Sequence, residues 1–306
     1  MSTPTVSNGN VAVRPGSPSR ELVGMVAVDK EQGWTSHDVV ARIRRLLGQR
    51  RVGHAGTLDP DATGLLLVGI GRFTRALRFL EGLTKVYQCE AVLGTATDTL
   101  DASGKVTGTW DMENISLDDV RNAANKMTGE IEQIPPMFSA VKVEGERLYA
   151  KARRGESVER KSRRVTVHSF EVSEPLEPGV FPISVACSTG TYVRSLVADL
   201  GTALGGGAHL RNLRRTKIGS FSVDEARTVD SISEGSILTP AQALRDIEQL
   251  HLDGELATLA KRRMPLDRVS TGAQTSGPYA LLDDKGALIA IYEGTATDKI
   301  VVGLAI

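Results

Sequence analysis

Twelve residues constrain this chain more than any others: Gly53-His54-Ala55-Gly56-Thr57-Leu58-Asp59-Pro60-Asp61-Ala62-Thr63-Gly64. Asp59 stands directly before a proline. Glycines and threonines surround it, and the apolar run Leu65-Leu66-Leu67-Val68 follows at once. Glycine permits backbone angles closed to other residues. Pro60 fixes its own φ and drives Asp59 toward an extended conformation. Such a string presents an acid on a constrained loop and then enters a core strand. Asp-Pro followed by polar residues is also ordinary turn chemistry, and residue types alone leave the two readings level.

The rest of the chain must supply a core that holds this loop still. With 306 residues, 41% of them hydrophobic, it has enough apolar material for one large domain and a small one. The two cysteines, Cys89 and Cys187, form no C-x-x-C pair and no metal-ligand spacing, so neither zinc nor a disulfide framework is expected. Residues 1–21 are rich in Ser, Pro, Gly and Asn and read as a disordered tail without a signal-peptide core. No apolar run is long enough to span a membrane. Scarce cysteine and no export signal point to the cytoplasm.

Periodicity places the elements. Val23 to Asp29 reads as a strand. Val39, Val40, Ile43, Leu46 and Leu47 share a helical face, with Thr35 and Asp38 as a capping box. Leu65 to Val68 reads as a buried strand and Phe73 to Leu80 as a short helix. Tyr87, Cys89, Ala91 and Leu93 alternate onto one face of a strand. Further helices are expected over Leu117 to Met127 and Tyr192 to Leu204, and strands over Arg164 to Val172 and Ile183 to Cys187. Strands punctuated by helices without strict alternation indicate an α+β fold with a mixed, largely antiparallel sheet. Beyond Leu252, three short strand-like runs with a hairpin turn at Asp283-Asp284-Lys285-Gly286 indicate a small β domain. The expected division is 22–250 for the large domain and 251–306 for the small one.

Formal net charge is zero, but the charge is segregated. Lys142 to Arg164 holds nine basic and four acidic residues, and Arg211, Arg214, Arg215 and Lys217 form another basic cluster. A neutral chain arranged in this way can offer a basic face to phosphates. Any one cluster taken alone reads more readily as solvated surface.

The string Gly53 to Pro60 resembles the catalytic motif of the TruB family of tRNA pseudouridine synthases. Five further segments resemble that family. Lys30 with Gly33-Trp34-Thr35-Ser36-His37-Asp38 is similar to its first motif, with Glu31 where the family carries proline. Lys85-Val86-Tyr87 resembles the strand bearing its active-site tyrosine. Ile134 to Gly155 is similar to its middle segment. Cys187 to Leu196 and Gly207 to Thr216 resemble its last two motifs.

The resemblance implies a pseudouridine synthase fold with a PUA-like RNA-binding domain at the C-terminus. It implies isomerisation of uridine 55 in the TΨC loop of tRNA, by base flipping and an aspartate nucleophile. It gives catalytic roles to Asp59, Tyr87 and Arg194. His54, Tyr192, Lys30, Lys142, Arg147, Arg153, Arg154, Leu210 and Arg211 become substrate-binding residues. The reaction is a net rearrangement, so no cofactor and no metal are implied. The expected partner is the T stem-loop of tRNA, met by a monomer without guide RNA. The small C-terminal domain is expected to add affinity rather than chemistry, so that a chain ending near Leu250 keeps some activity. Two readings compete. A non-catalytic tRNA-elbow binding protein or RNA chaperone would need the basic surface but not Asp59. A sugar hydrolase would need paired carboxylates, and only Asp59 stands in a strong motif.

Overall fold

The apolar run after the Asp59 loop is continuous because its strand is buried on both faces. In the computed structural model, Leu65 and Leu67 of the Thr63–Ile70 strand enter one core, and Leu66, Val68 and Ile70 enter another. The Gly24–Lys30 strand lies antiparallel beside it and divides in the same way, Met25 and Ala27 to one core and Val26 and Val28 to the other. A strand covered on both sides loses the alternation that a half-exposed strand shows. The structure describes residues 21–139, 142–143, 145–147, 154, 156 and 158–305, with backbone only at 142–143 and 147. Arg153 and almost all of the 1–21 tail lie outside the described residues.

The main sheet has ten strands. Its path runs Arg227–Thr228, Gly24–Lys30, Thr63–Ile70, Ala208–Ile218, Lys85–Leu93, Val180–Cys187, Arg163–Val172 and Gly129–Gln133. The central Ala208–Ile218 strand joins the two halves. It is parallel to the loop strand at Arg214 and Arg215, and antiparallel to the Tyr87 strand along most of its length. The fold is α+β with a mixed, mainly antiparallel sheet. Tyr87, Cys89, Ala91 and Leu93 all face a third core, built against the Leu117–Lys126 and Val193–Ala203 helices. Both cysteines are free and buried, and burial pushes the Cys187 thiol up to about 11.

Local signals hold where they are strong. Thr35 and Asp38 close a reciprocal capping box on the Ser36–Leu46 helix, and Ser116 and Asp119 do so for the Leu117–Lys126 helix. The expected helix over Phe73 to Leu80 is instead a pair of 3-10 turns, Gly71–Arg75 and Leu77–Phe79. Phe73, Ala76, Leu77 and Leu80 are all buried in one core, so the spacing reported burial correctly. The hydrogen bonds are the tighter three-residue kind, from Ala76 N to Phe73 O and from Leu80 N to Leu77 O.

The C-terminal region is a five-stranded sheet in the order Glu248–His251, Tyr279–Leu282, Leu288–Gly294, Lys299–Ala305 and Leu266–Asp267. Its first strand runs across the expected boundary at residue 250 and pairs in parallel with Tyr279–Leu282. Ala280, Ile291 and Leu304 share a core with Leu65, Leu67 and Phe73 of the larger domain. Ending the chain near Leu250 would therefore strip one side of the loop strand. The expectation that such a chain keeps activity does not agree with this packing.

Candidate active site

Asp59 is held from below at nearly every backbone group around it. Pro60 O accepts from Gly33 N at 2.9 Å and from Lys30 Nζ at 3.1 Å. Leu58 N donates to Ser36 Oγ at 3.0 Å. Arg215 donates to Gly56 O at 2.9 Å and to Leu65 O at 2.8 Å, tying both ends of the loop to the central strand. Gly64 must lack a side chain, because a Cβ there would lie 2.3 Å from Arg215 O, at a φ of +101°. The first motif thus serves the second. Lys30, Gly33 and Ser36 are the floor on which the Asp59 loop rests.

Lys30 was grouped with the substrate-binding residues, and the structure places it elsewhere. It is 0% exposed, and its ammonium donates to the carbonyls of Glu31, Trp34 and Pro60. Burial lowers its pKa to about 8, against the pull of Asp59. It lies beneath the loop as a support.

Above the floor, Asp59 Oδ2 lies 2.9 Å from the Arg194 guanidinium, which is 4% exposed. Arg194 is the second residue of its helix. It also donates to Thr99 O at 2.9 Å and Phe138 O at 2.8 Å, so its fork is fixed from two sides. The Asp59 carboxyl is 42% exposed at the meeting point of several clefts. Desolvation raises its pKa, and Arg194 opposes that rise. The result is a carboxylate aimed at a cavity and paired with a cation that cannot swing away.

A cavity of about 240 Å³ beside Asp59 is lined by Tyr87, Lys85, Tyr192 and Arg163. Tyr87 is buried, which raises its phenol pKa, while the nearby Arg215 pulls it down. Tyr192 caps the helix that carries Arg194. Its backbone is clamped by the Gln133 amide, which accepts from Tyr192 N at 2.7 Å and donates to Tyr192 O at 3.0 Å. A larger cavity of about 470 Å³ lies on the other side of Asp59 and reaches Gln32, Asp101, Leu210, Arg211 and Arg214. Leu210 is buried there and exchanges backbone hydrogen bonds with Leu100 and Ala102.

Asp101 was not anticipated. Its carboxylate lies 3.6 Å from Arg194 and accepts from the hydroxyls of Thr99 and Ser103 and from Ser103 N. Asp101 is thus a second acid at the site outside any strong motif, so motif count alone does not exclude sugar hydrolysis. Asp101 Oδ1 accepts all three of those bonds, and both carboxylates share the one Arg194 guanidinium, so neither is a free second acid. Arg215 and Lys85 were also missed as parts of the site. Arg215 lay in a basic cluster and looked like surface, yet it is 1% exposed. Strand periodicity does not reveal it, because a register shift between Arg211 and Arg214 breaks the alternation before Arg215, which pairs with Tyr87 across the sheet.

Of the remaining sequence candidates among the described residues, only Arg211 reaches a cavity that Asp59 lines. His54 is half-buried, 5.5 Å edge-to-face from His37, with Nδ1 buried and without a partner among the described residues. Burial, His37 and Arg215 lower its pKa to about 4. Arg154 is clamped by Glu146 and Glu156, each at 2.6 Å. Arg211 pairs with Glu90 at 2.5 Å and Glu177 at 2.9 Å. Only backbone is described at Lys142 and Arg147, which face each other in a two-stranded ladder.

Comparison with known proteins matches this arrangement. Residues 44–193 match the model of the TruB family pseudouridylate synthase N-terminal domain, and residues 194–261 match that of the tRNA pseudouridylate synthase B C-terminal domain. The chain belongs to the TruB family. It is therefore an isomerase of the pseudouridine synthase class. Its relatives include proteins named tRNA pseudouridine synthase B. That of Thermobifida fusca (strain YX) is 45% identical over 281 residues, covering 88% of this chain and 94% of the relative. That of Nocardia farcinica (strain IFM 10152) is 48% identical over 278 residues, covering 89% and 90%. Among solved structures, a Cbf5-Nop10-Gar1 complex contains a chain that superimposes with a TM-score of 0.71 at 26% identity, covering 93% of this chain and 84% of that one. An H/ACA RNP bound to a substrate RNA containing 2′-deoxyuridine gives 0.70 at 23% identity, covering 92% and 84%, and shares the fold. The border between the two TruB family matches falls between Asp59 and Arg194, so their ion pair joins one matched segment to the other.

Proposed function

We propose that this chain converts uridine 55 in the TΨC loop of tRNA to pseudouridine, acting in the cytoplasm as a monomer that needs no guide RNA and no cofactor. The observation that carries the reading is the Asp59–Arg194 pair at 2.9 Å beside a cavity bearing two tyrosines. The names of the relatives support tRNA as the substrate class.

The reaction exchanges a C1′–N1 bond for a C1′–C5 bond, with a proton lost from C5 and one gained at N1. Asp59 in its ionised form attacks C1′ or assists departure there, as carboxylates do at glycosidic carbons. Arg194 keeps the carboxylate charged despite its desolvation. Tyr87 offers an aromatic face to the flipped base, and its phenol relays the C5 proton, passing its own O–H proton on to solvent as it takes that one up. Tyr192 borders the same cavity. Extrusion costs a few kcal/mol, roughly, unless the gap in the RNA is filled. His54 fills it as a neutral ring, since its lowered pKa leaves it uncharged at physiological pH. Lys142, Arg147, Arg153, Arg154 and Arg211 contact the RNA backbone. Arg154 and Arg211 do so by exchanging carboxylate partners for phosphate. Leu210 shapes the cavity wall, and the C-terminal sheet adds RNA affinity.

The experiment is release of tritium from C5-labelled uridine in an isolated T stem-loop RNA with the purified chain. Stoichiometric release at position 55 is expected. Binding without release would instead favour a non-catalytic elbow binder or RNA chaperone.

A further inference from the structure

Several arginines on the basic faces of this molecule are already paired with acids. Arg42 holds Asp230, Arg154 holds Glu146 and Glu156, Arg211 holds Glu90 and Glu177, and Arg214 holds Asp29. Arg163 differs. Among the described residues it has no carboxylate partner and no side-chain hydrogen bond, and its Nε is buried without an acceptor. It opens the Arg163–Val172 strand opposite Gln133, the residue that clamps the Tyr192 backbone. Its guanidinium carbon stands 4.6 Å from the centroid of the Tyr192 ring. It lines the cavity of about 240 Å³ that also holds Asp59 and Tyr87.

A second unsatisfied group borders the same cavity. Ser139 is 5% exposed, and its hydroxyl has no partner among the described residues. Buried polar groups in folded proteins are normally paired, and an orphan costs on the order of 1–3 kcal/mol. Two orphans on one cavity wall mark a place where a polar ligand belongs. The donors are a planar guanidinium fork and a hydroxyl, with the Lys85 ammonium on the same wall. A guanidinium placed over an aromatic ring keeps N–H donors available for two acceptor oxygens of one anion, the way arginine binds phosphate.

We propose that Arg163, assisted by Ser139, binds the backbone phosphate flanking the flipped uridine and so fixes the sugar relative to Asp59. This site is separate from the stem contacts assigned to the paired arginines, because it belongs to the reacting nucleotide. It rests on the synthase reading, and the two stand or fall in different arms of one experiment.

The experiment uses the full chain and two T stem-loop RNAs, each with a neutral methylphosphonate in place of one phosphate flanking the target. On unmodified RNA, Arg163→Gln is expected to lose about 10- to 100-fold in kcat/KM, the usual worth of a charge-assisted contact. Its thermal midpoint should stay close to the wild-type value, because among the described residues the side chain makes no hydrogen bond or ion pair and only packs over the Tyr192 ring at the cavity wall. On the RNA whose contacted phosphate is neutral, wild type and Arg163→Gln should agree within about twofold, since the interaction is already gone. Arg163→Lys should recover part of the loss on unmodified RNA only. If the loss persists unchanged on both neutral RNAs, Arg163 acts through Tyr192 packing and the proposal is overturned. Wild-type kinetics for Arg163→Gln on unmodified RNA would also overturn it. If wild type itself fails to release tritium, the synthase reading falls and takes this site with it.

Discussion

Arg194 and Arg211 each hold two carboxylates, yet they do different work. Arg194 is 4% exposed, and two backbone carbonyls fix its fork as well as Asp59 and Asp101. Arg211 has a side chain 36% exposed and touches Glu90 and Glu177 at the rim. Losing Asp59 leaves the buried Arg194 guanidinium compensated only by the more distant Asp101, which costs up to about 3–5 kcal/mol. An exposed pair is worth about 0–1 kcal/mol and yields readily to another anion. The difference separates residues that hold the chemistry in place from residues that receive RNA.

Each arm of that contrast can be broken. The largest effect belongs to Asp59→Asn, which keeps the shape and removes the nucleophile. Tritium release should fall by about four orders of magnitude or more, while RNA affinity stays within about tenfold of wild type. Retained turnover would discard the assignment. Arg194→Lys comes next. One ammonium cannot reach Asp59 and the two carbonyls together, so a fall of about 100-fold in kcat is expected.

The pH profile sharpens this step. Asp59 is active when ionised, and its pKa is raised by burial. Activity should therefore decline on acidification at a pH above the ordinary carboxylate range of about 4. Arg194 opposes the rise, so in Arg194→Gln, which removes the charge, that acid limb should move to higher pH. A limb that stays put would show that the cation does not act on Asp59.

Smaller effects test the supports and the rim. Lys30→Met should lower kcat by about tenfold through loss of the loop floor while leaving RNA affinity unchanged, the mark of a residue that never meets substrate. A selective loss of affinity would return Lys30 to the binding surface. Arg211→Gln should be the mildest, weakening binding by about threefold and lowering the salt slope by about one.

The contrast also explains what could be read from the residues alone. The loop, the Tyr87 strand and the Arg194 helix were legible because each combines a local rule with a motif: proline and glycine geometry, period-2 burial, a helix start. The sheet topology was not legible. The Ala208–Ile218 strand carries Arg211, Arg214, Arg215 and Lys217, and its charge density concealed a central strand. Charge composition cannot say which arginine points into the core, as Arg215 does, or which is already paired, as Arg154 and Arg211 are. That information lies in pairs far apart in sequence, such as Arg214 with Asp29. Asp101 was hidden for the same reason, since only folding brings it to Arg194.

The most direct test is to map pseudouridine in tRNA from cells lacking this chain, complemented either with wild type or with Asp59→Asn. The account predicts that uridine 55 is unmodified without the chain, modified with wild type, and unmodified again with the variant. Pseudouridine at that position in the uncomplemented cells, or its restoration by Asp59→Asn, would contradict it.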